Sequence, residues 1–191
     1  MAAIVEETRT ALGSGDIYLA EPTAEQLAMT DIDQLITTFC VDANRFGNTK
    51  NGGSVKYTQE KVVVEDDLGK IVETYLVKDG AEMTCGTITV GPEIIKKLTE
   101  TGRVETTTSG RKVIKIGGVG NADGKSYLIC FHHKNAQHGD IRVFLLGSNN
   151  SELSFAFDQQ NPLVLTPTFT AKAMDAVGTK LIIVFDKNGT D

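Results

Sequence analysis

Between Gly53 and Val90 apolar residues recur with a period of two. The runs GSVKYTQ, EKVVVED, KIVETYLVK and AEMTCGTITV predict four β-strands joined by short turns such as DDLG. Both faces of these strands are apolar: Ile71, Tyr75 and Val77 point one way, Val72 and Leu76 the other. An antiparallel sheet in a small monomer commonly wets one face. The second apolar face therefore calls for a cover, either another sheet or another copy of the chain.

Ahead of this block, residues 1–22 read as an arm, with GSG at 13–15 as a joint and DIYLAEP at 16–22 as a short strand stopped by Pro22. Residues 23–53 read as a long loop of weak regularity, in which Thr23 with Gln26 and Asp31 with Gln34 offer capping-box starts for one-turn helices. GPEIIKKLTETG predicts one flanking helix over about residues 92–101, with Pro92 and Glu93 in its first turn, Lys96 and Lys97 toward its end, Gly102 as its stop, and Ile94, Ile95 and Leu98 as the buried stripe. Strands resume as RVETTT, RKVIKIG, KSYLICFHH, DIRVFLLG, ELSFAFD, PLVLTPTFTAK and TKLIIVFD, with Leu153, Phe155 and Phe157 alternating as in a half-buried strand. About a dozen strands with one helix imply a mainly β protein, a β-sandwich or partly closed barrel in a single domain over 1–191.

Composition fits a globular chain: 40% hydrophobic and 23% charged over 191 residues. Cys40, Cys85 and Cys130 are widely spaced with no CxxC pair, which speaks against a disulfide framework or a zinc site and for synthesis in a reducing cytoplasm. Glu6 and Glu7 stand where a secretory signal would carry basic and then apolar residues, and no apolar run approaches a bilayer span, so a soluble product is expected. Net charge is −6 but uneven: residues 1–90 hold 15 acidic and 7 basic side chains, residues 91–191 hold 10 and 12. The acidic half is ill suited to gripping phosphates, and the asymmetry fits either plain solubility or contact of an acidic end with a basic end between copies.

Candidate chemistry is sparse. GGVGNADGKS at 117–126 ends like a phosphate loop, but Val119 stands where the first glycine should be, and the segment joins two strands. The same stretch misses the first and last ligands of a calcium loop. Adjacent His132 and His133 face opposite sides of a strand and read, with His138, as a solvent-exposed strand end. Glu65, Asp66 and Asp67 read as a turn leading to Gly69 rather than as a catalytic carboxylate cluster, and Cys85 as packed core. No catalytic, cofactor or metal site is expected.

The order of these signals resembles the major tail tube proteins of long-tailed phages. The likeness is carried by ALGSGDIYLAEP, NRFGNTKNGGSVKY, EKVVVEDDLGKIVETYLVKDGAEMTCGTITVGPEIIKKL, KSYLICFHHKNAQHGDIRVFLLG, PLVLTPTFTAK and KLIIVFDKNG, which together cover most of the chain. The resemblance implies hexameric rings stacked into a tube, assembled in the host cytoplasm and carried in the virion tail. It implies partners in further copies, a tape-measure protein and tail-end proteins, with DNA passing unbound through a smooth acidic channel. On that basis Glu65, Asp66, Asp67 and Gly69 are expected at a ring face, and Ile17, Tyr18, Leu19 and Phe46, from the arm and the 40–53 loop, at ring-to-ring contacts. Glu73 is the candidate for the channel wall, since it interrupts the Tyr75 face. Inner-tube proteins of contractile tails or secretion machines, and a monomeric β-sandwich binding module, are the alternatives.

Overall fold

Two strands with almost no polar break, β6 (Tyr127–His133) and β7 (Ile141–Asn149), form the centre of the fold because both of their faces are covered. In the computed structural model, which describes residues 15–28, 30–69, 72–135 and 139–186, they belong to a seven-stranded antiparallel sheet. Its other members are β1 (Gly15–Ala20), β2 (Thr49–Glu65), β3 (Val72–Thr87), β8 (Thr168–Ala171) and β9 (Ile182–Phe185), in the order β1-β6-β7-β8-β3-β2, with β9 sharing the edge of β7 with β8. The sheet curls until its ends approach. Tyr18 bridges Arg45, the Phe46 N–H donates to the Ile17 carbonyl at 2.8 Å, and the Thr49 hydroxyl donates to the Gly15 carbonyl at 2.7 Å. The expected mainly β architecture is thus present in its partly closed form.

Alternation sorts the side chains. Ile17, Leu19, Ala81, Met83, Cys85, Tyr127, Ile129, Val143, Leu145 and Phe169 fill the concave side together with Phe46, Leu98 and Leu165. Tyr18, Leu128, Cys130, Phe144 and Leu146 face outward and would be wet without α2 (Ile32–Phe39), which lays Leu35 and Phe39 on them with Ile32 and Ile36 alongside. That i, i+3, i+4, i+7 spacing is an amphipathic helix. Asp31 caps it, its carboxylate accepting from the Asp33 and Gln34 N–H groups. Thr23 and Gln26 form a reciprocal capping box on α1 (Ala24–Ala28). Residues 23–53 are therefore two helices, a 3-10 turn at Asp42–Asn44 and the first residues of β2, not an irregular loop.

Helix α3 (Pro92–Leu98) buries Ile95 and Leu98 and ends before residue 101, because the Thr99 N–H bonds back to Lys96, tightening the last turn. Its Lys97 ammonium donates to the Leu19 carbonyl at 2.9 Å, tying α3 to β1. β4 (Arg103–Thr106) and β5 (Lys112–Lys115) pair as a separate two-stranded sheet. Two strand expectations fail. Residues 152–158 make no ladder, and Phe157 is 87% exposed. Asn149 turns the chain out of β7, its side-chain oxygen accepting from Ser151 N and Thr168 N, so the segment never lies beside a partner strand. PLVLTPTFTAK is strand only over Thr168–Ala171, with a lone bridge of Leu165 to Thr87.

Candidate assembly surface

The runs GSVKYTQ and EKVVVED are one 17-residue strand, β2, facing the 16-residue β3. The register holds from Ser54–Thr84 to Glu60–Lys78, shifts by one, and runs on to Glu65–Val72. Val77 is the extra residue, and such a bulge bends a ribbon and adds twist. β3 pairs with β8 only over Glu82–Thr84, so beyond Ala81 the two strands leave the body as a free-standing ribbon. Its eight terminal β2 residues, Thr58–Glu65, extend about 27 Å.

The base of the ribbon fits the body tightly. Gly53 lies against the Phe131 ring, and a Cβ on Gly86 would stand 2.0 Å from the Lys50 carbonyl oxygen. Above the base both faces are apolar and wet. Val55, Tyr57, Val63, Val72 and Leu76 occupy the face continuous with the concave core, Val62, Val64 and Tyr75 occupy the other, and Val77 stands at the bulge between them. These side chains keep 37 to 58% of their surface exposed, where Leu19 and Ile129 keep none. Among the described residues, the outer edge of β2 and the edge of β3 over 72–81 have no strand partner, whereas the edge of β1 is covered by Arg45 and Phe46. Open edges beside apolar faces are what isolated proteins blunt or hide.

The expected site residues divide. Glu65 ends β2, and Asp66 and Asp67 begin the turn, which closes with the Gly69 N–H on the Asp66 carbonyl at 2.9 Å, Gly69 having a φ of 64°. Leu68 stands 74% exposed at this tip. Glu73 faces the Val64 position on the Tyr75 side, and the Tyr75 hydroxyl donates to it, which holds the phenol above its ordinary pKa. Ile17, Tyr18, Leu19 and Phe46, by contrast, are buried inside the protomer. These expectations fail because GDIYLA is not part of a loose arm but a strand hydrogen-bonded to β6, so its side chains, with Phe46, build the protomer's own core. Residues 1–14, Ile71 and His138 lie outside the described residues.

No family model and no curated protein matches this chain. The surface is therefore read from its own chemistry. The histidines depart from expectation, since His132 and His133 are both 6% exposed. His132 Nε2 lies 2.6 Å from Asp140 Oδ2, and Arg142 joins Asp140 and Asp186. Burial alone would push the Asp140 carboxyl up, but the Asn135 N–H, His132 and Arg142 together hold it below the ordinary range. Asp140 is eight residues from His132, across the β6–β7 turn, and the His132–Arg142 pairing brings it round. Asp16 is likewise held low, first by its hydrogen bond from Lys134 and then by Arg45. Both clusters tie strand ends together at the protein surface. A cleft of about 310 Å³ opens between α3 and residues 151–167, but the Asn149 amide there is engaged with Leu98 and Ser151. Among the described residues no group of histidine, cysteine and carboxylate side chains could hold a metal ion, and no helix is long and apolar enough to cross a membrane.

Proposed function

We propose that this chain is a structural protein that polymerises with copies of itself into closed, stacked rings, as the tube protein of a phage tail. The observation that carries the reading is the β2–β3 ribbon, which leaves the body with both faces apolar and both edges open. Set side by side around an axis, with the ribbons pointing the same way, the β3 edge of one copy meets the β2 edge of the next in antiparallel sense. This is a heterologous contact that closes and leaves no edge. The ribbons then become a continuous inner barrel, and the apolar face continuous with the concave core is covered by neighbouring bodies. The resemblance supplies the hexameric count, the tape-measure and tail-end partners and the virion location. It also supplies the channel through which DNA slides past carboxylates such as Glu73 without being bound. The tip at Glu65–Gly69 lies at a ring face in this arrangement.

Negative-stain electron microscopy and sedimentation of the concentrated protein test the reading. Rings or tubes with an axial channel are expected. Compact single particles at every concentration would refute assembly and favour a monomeric binding module.

A further inference from the structure

Two of the three cysteines meet on the convex side of the sheet. Cys40 follows the last residue of α2, Cys130 lies ninety residues on in the middle of β6, and their sulfurs are 3.5 Å apart. We propose that Cys40 and Cys130 form a modification site, a dithiol that a small disulfide such as oxidised glutathione converts into an intramolecular disulfide pinning α2 to the sheet.

The geometry gives the two sulfurs different parts. Cys40 is partly exposed and can be reached from solvent, whereas Cys130 is fully buried between Tyr18 and Phe144 of the neighbouring strands. The hydrogen bond with Cys130 holds the Cys40 thiol below its usual range against the effect of burial, and Arg142 adds to this; burial pushes the Cys130 thiol up. Cys40 is the attacking thiolate. It displaces one glutathione thiolate from oxidised glutathione and is left as a mixed disulfide. Cys130 then gives its proton to the released thiolate, and its sulfur attacks Cys40 Sγ and expels the second glutathione. Two protein thiols are oxidised to one disulfide and one glutathione disulfide is reduced to two thiols, so electrons and protons balance. The sulfurs must close to about 2.05 Å, within reach of side-chain rotation at the end of a helix. Cys85 provides an internal comparison: it lies on the concave side, 1% exposed, with its thiol pushed up to about 12 by burial, and remains reduced.

The test is equilibration of the full chain with oxidised glutathione, read by intact mass, thiol titration after denaturation and peptide mapping. Expected are a loss of about 2 Da, a fall from three titratable thiols to one, a Cys40–Cys130 peptide, and a melting temperature raised by about 5–15 °C and restored by dithiothreitol. Cys40→Ser and Cys130→Ser should abolish the mass loss, and Cys85→Ser should keep it. An unchanged mass, a linkage through Cys85, or a stable glutathione adduct on Cys40 with Cys130 still free would overturn the proposal. These readouts come from the single chain and do not depend on whether it assembles.

Discussion

Replacing Val63, Val72 and Leu76 together by alanine separates folding from assembly. The three share one face of the β2–β3 ribbon and are 53, 58 and 53% exposed in the protomer. Full burial of a valine or leucine is worth about 1.5–3 kcal/mol, so covering the exposed half of each contributes about 1 kcal/mol, or about 3 kcal/mol for the set. At about 1.4 kcal/mol per decade this is on the order of a 100-fold weaker contact between neighbours. Folding should lose no more than about 1.5 kcal/mol in all, half the effect on assembly, because exposed positions usually move stability by no more than about 0.5 kcal/mol each. The assay is the protein concentration at which light scattering and electron microscopy first detect rings or tubes, beside thermal melting by circular dichroism below that concentration. A threshold that stays put in the folded triple variant would refute the argument that this face is covered by a neighbour.

Three further outcomes are expected. Asp31→Ala removes the α2 cap at a cost of about 1 kcal/mol, seen as a melting temperature lower by about 2–4 °C. Asp140→Asn flattens the acid limb of stability: the folded carboxyl titrates below the unfolded value of about 3.9, so its contribution is present above that pH and is lost as pH falls through the folded value. The gap in melting temperature between variant and wild type should narrow steadily as pH is lowered from pH 6 through about pH 3. Gly86→Ala puts a Cβ 2.0 Å from the Lys50 carbonyl oxygen, and the urea midpoint should fall by the equivalent of about 2–3 kcal/mol as the base of the ribbon is forced apart.

Strand identity was legible wherever alternation or unbroken apolar runs were long: β6 and β9 lie within predicted runs, and β2, β3 and β7 overlap theirs. β2 begins earlier at Thr49, β3 runs unbroken through Asp79 and Gly80, and β7 continues to Asn149. The two-faced ribbon was legible as well, since Val72 and Leu76 do lie opposite Tyr75. The start of α2 was legible at Asp31, but its length was missed although Ile32, Leu35, Ile36 and Phe39 carry its period, because threonines and the Asp33–Gln34 pair blur a two-turn stretch. ELSFAFD failed for the opposite reason. Its alternation is clean, but a strand also needs an edge to join, and Asn149 steers the chain away from one. The His132–Asp140 pair depends on the β6–β7 register, and the burial of Ile17–Leu19 on pairing with a strand more than a hundred residues away, neither of which local pattern encodes.

The ribbon joins strands adjacent in sequence, whereas β1 finds its place only when Gly15 reaches His133 and Phe46 folds over it. A hairpin closes in microseconds, while pairing of remote segments must await the collapse of everything between them. The surface proposed to join copies can therefore form before the body that orients it. On that proposal recovery from denaturant is a race between intramolecular completion and premature coupling of copies out of register, and dilution favours completion.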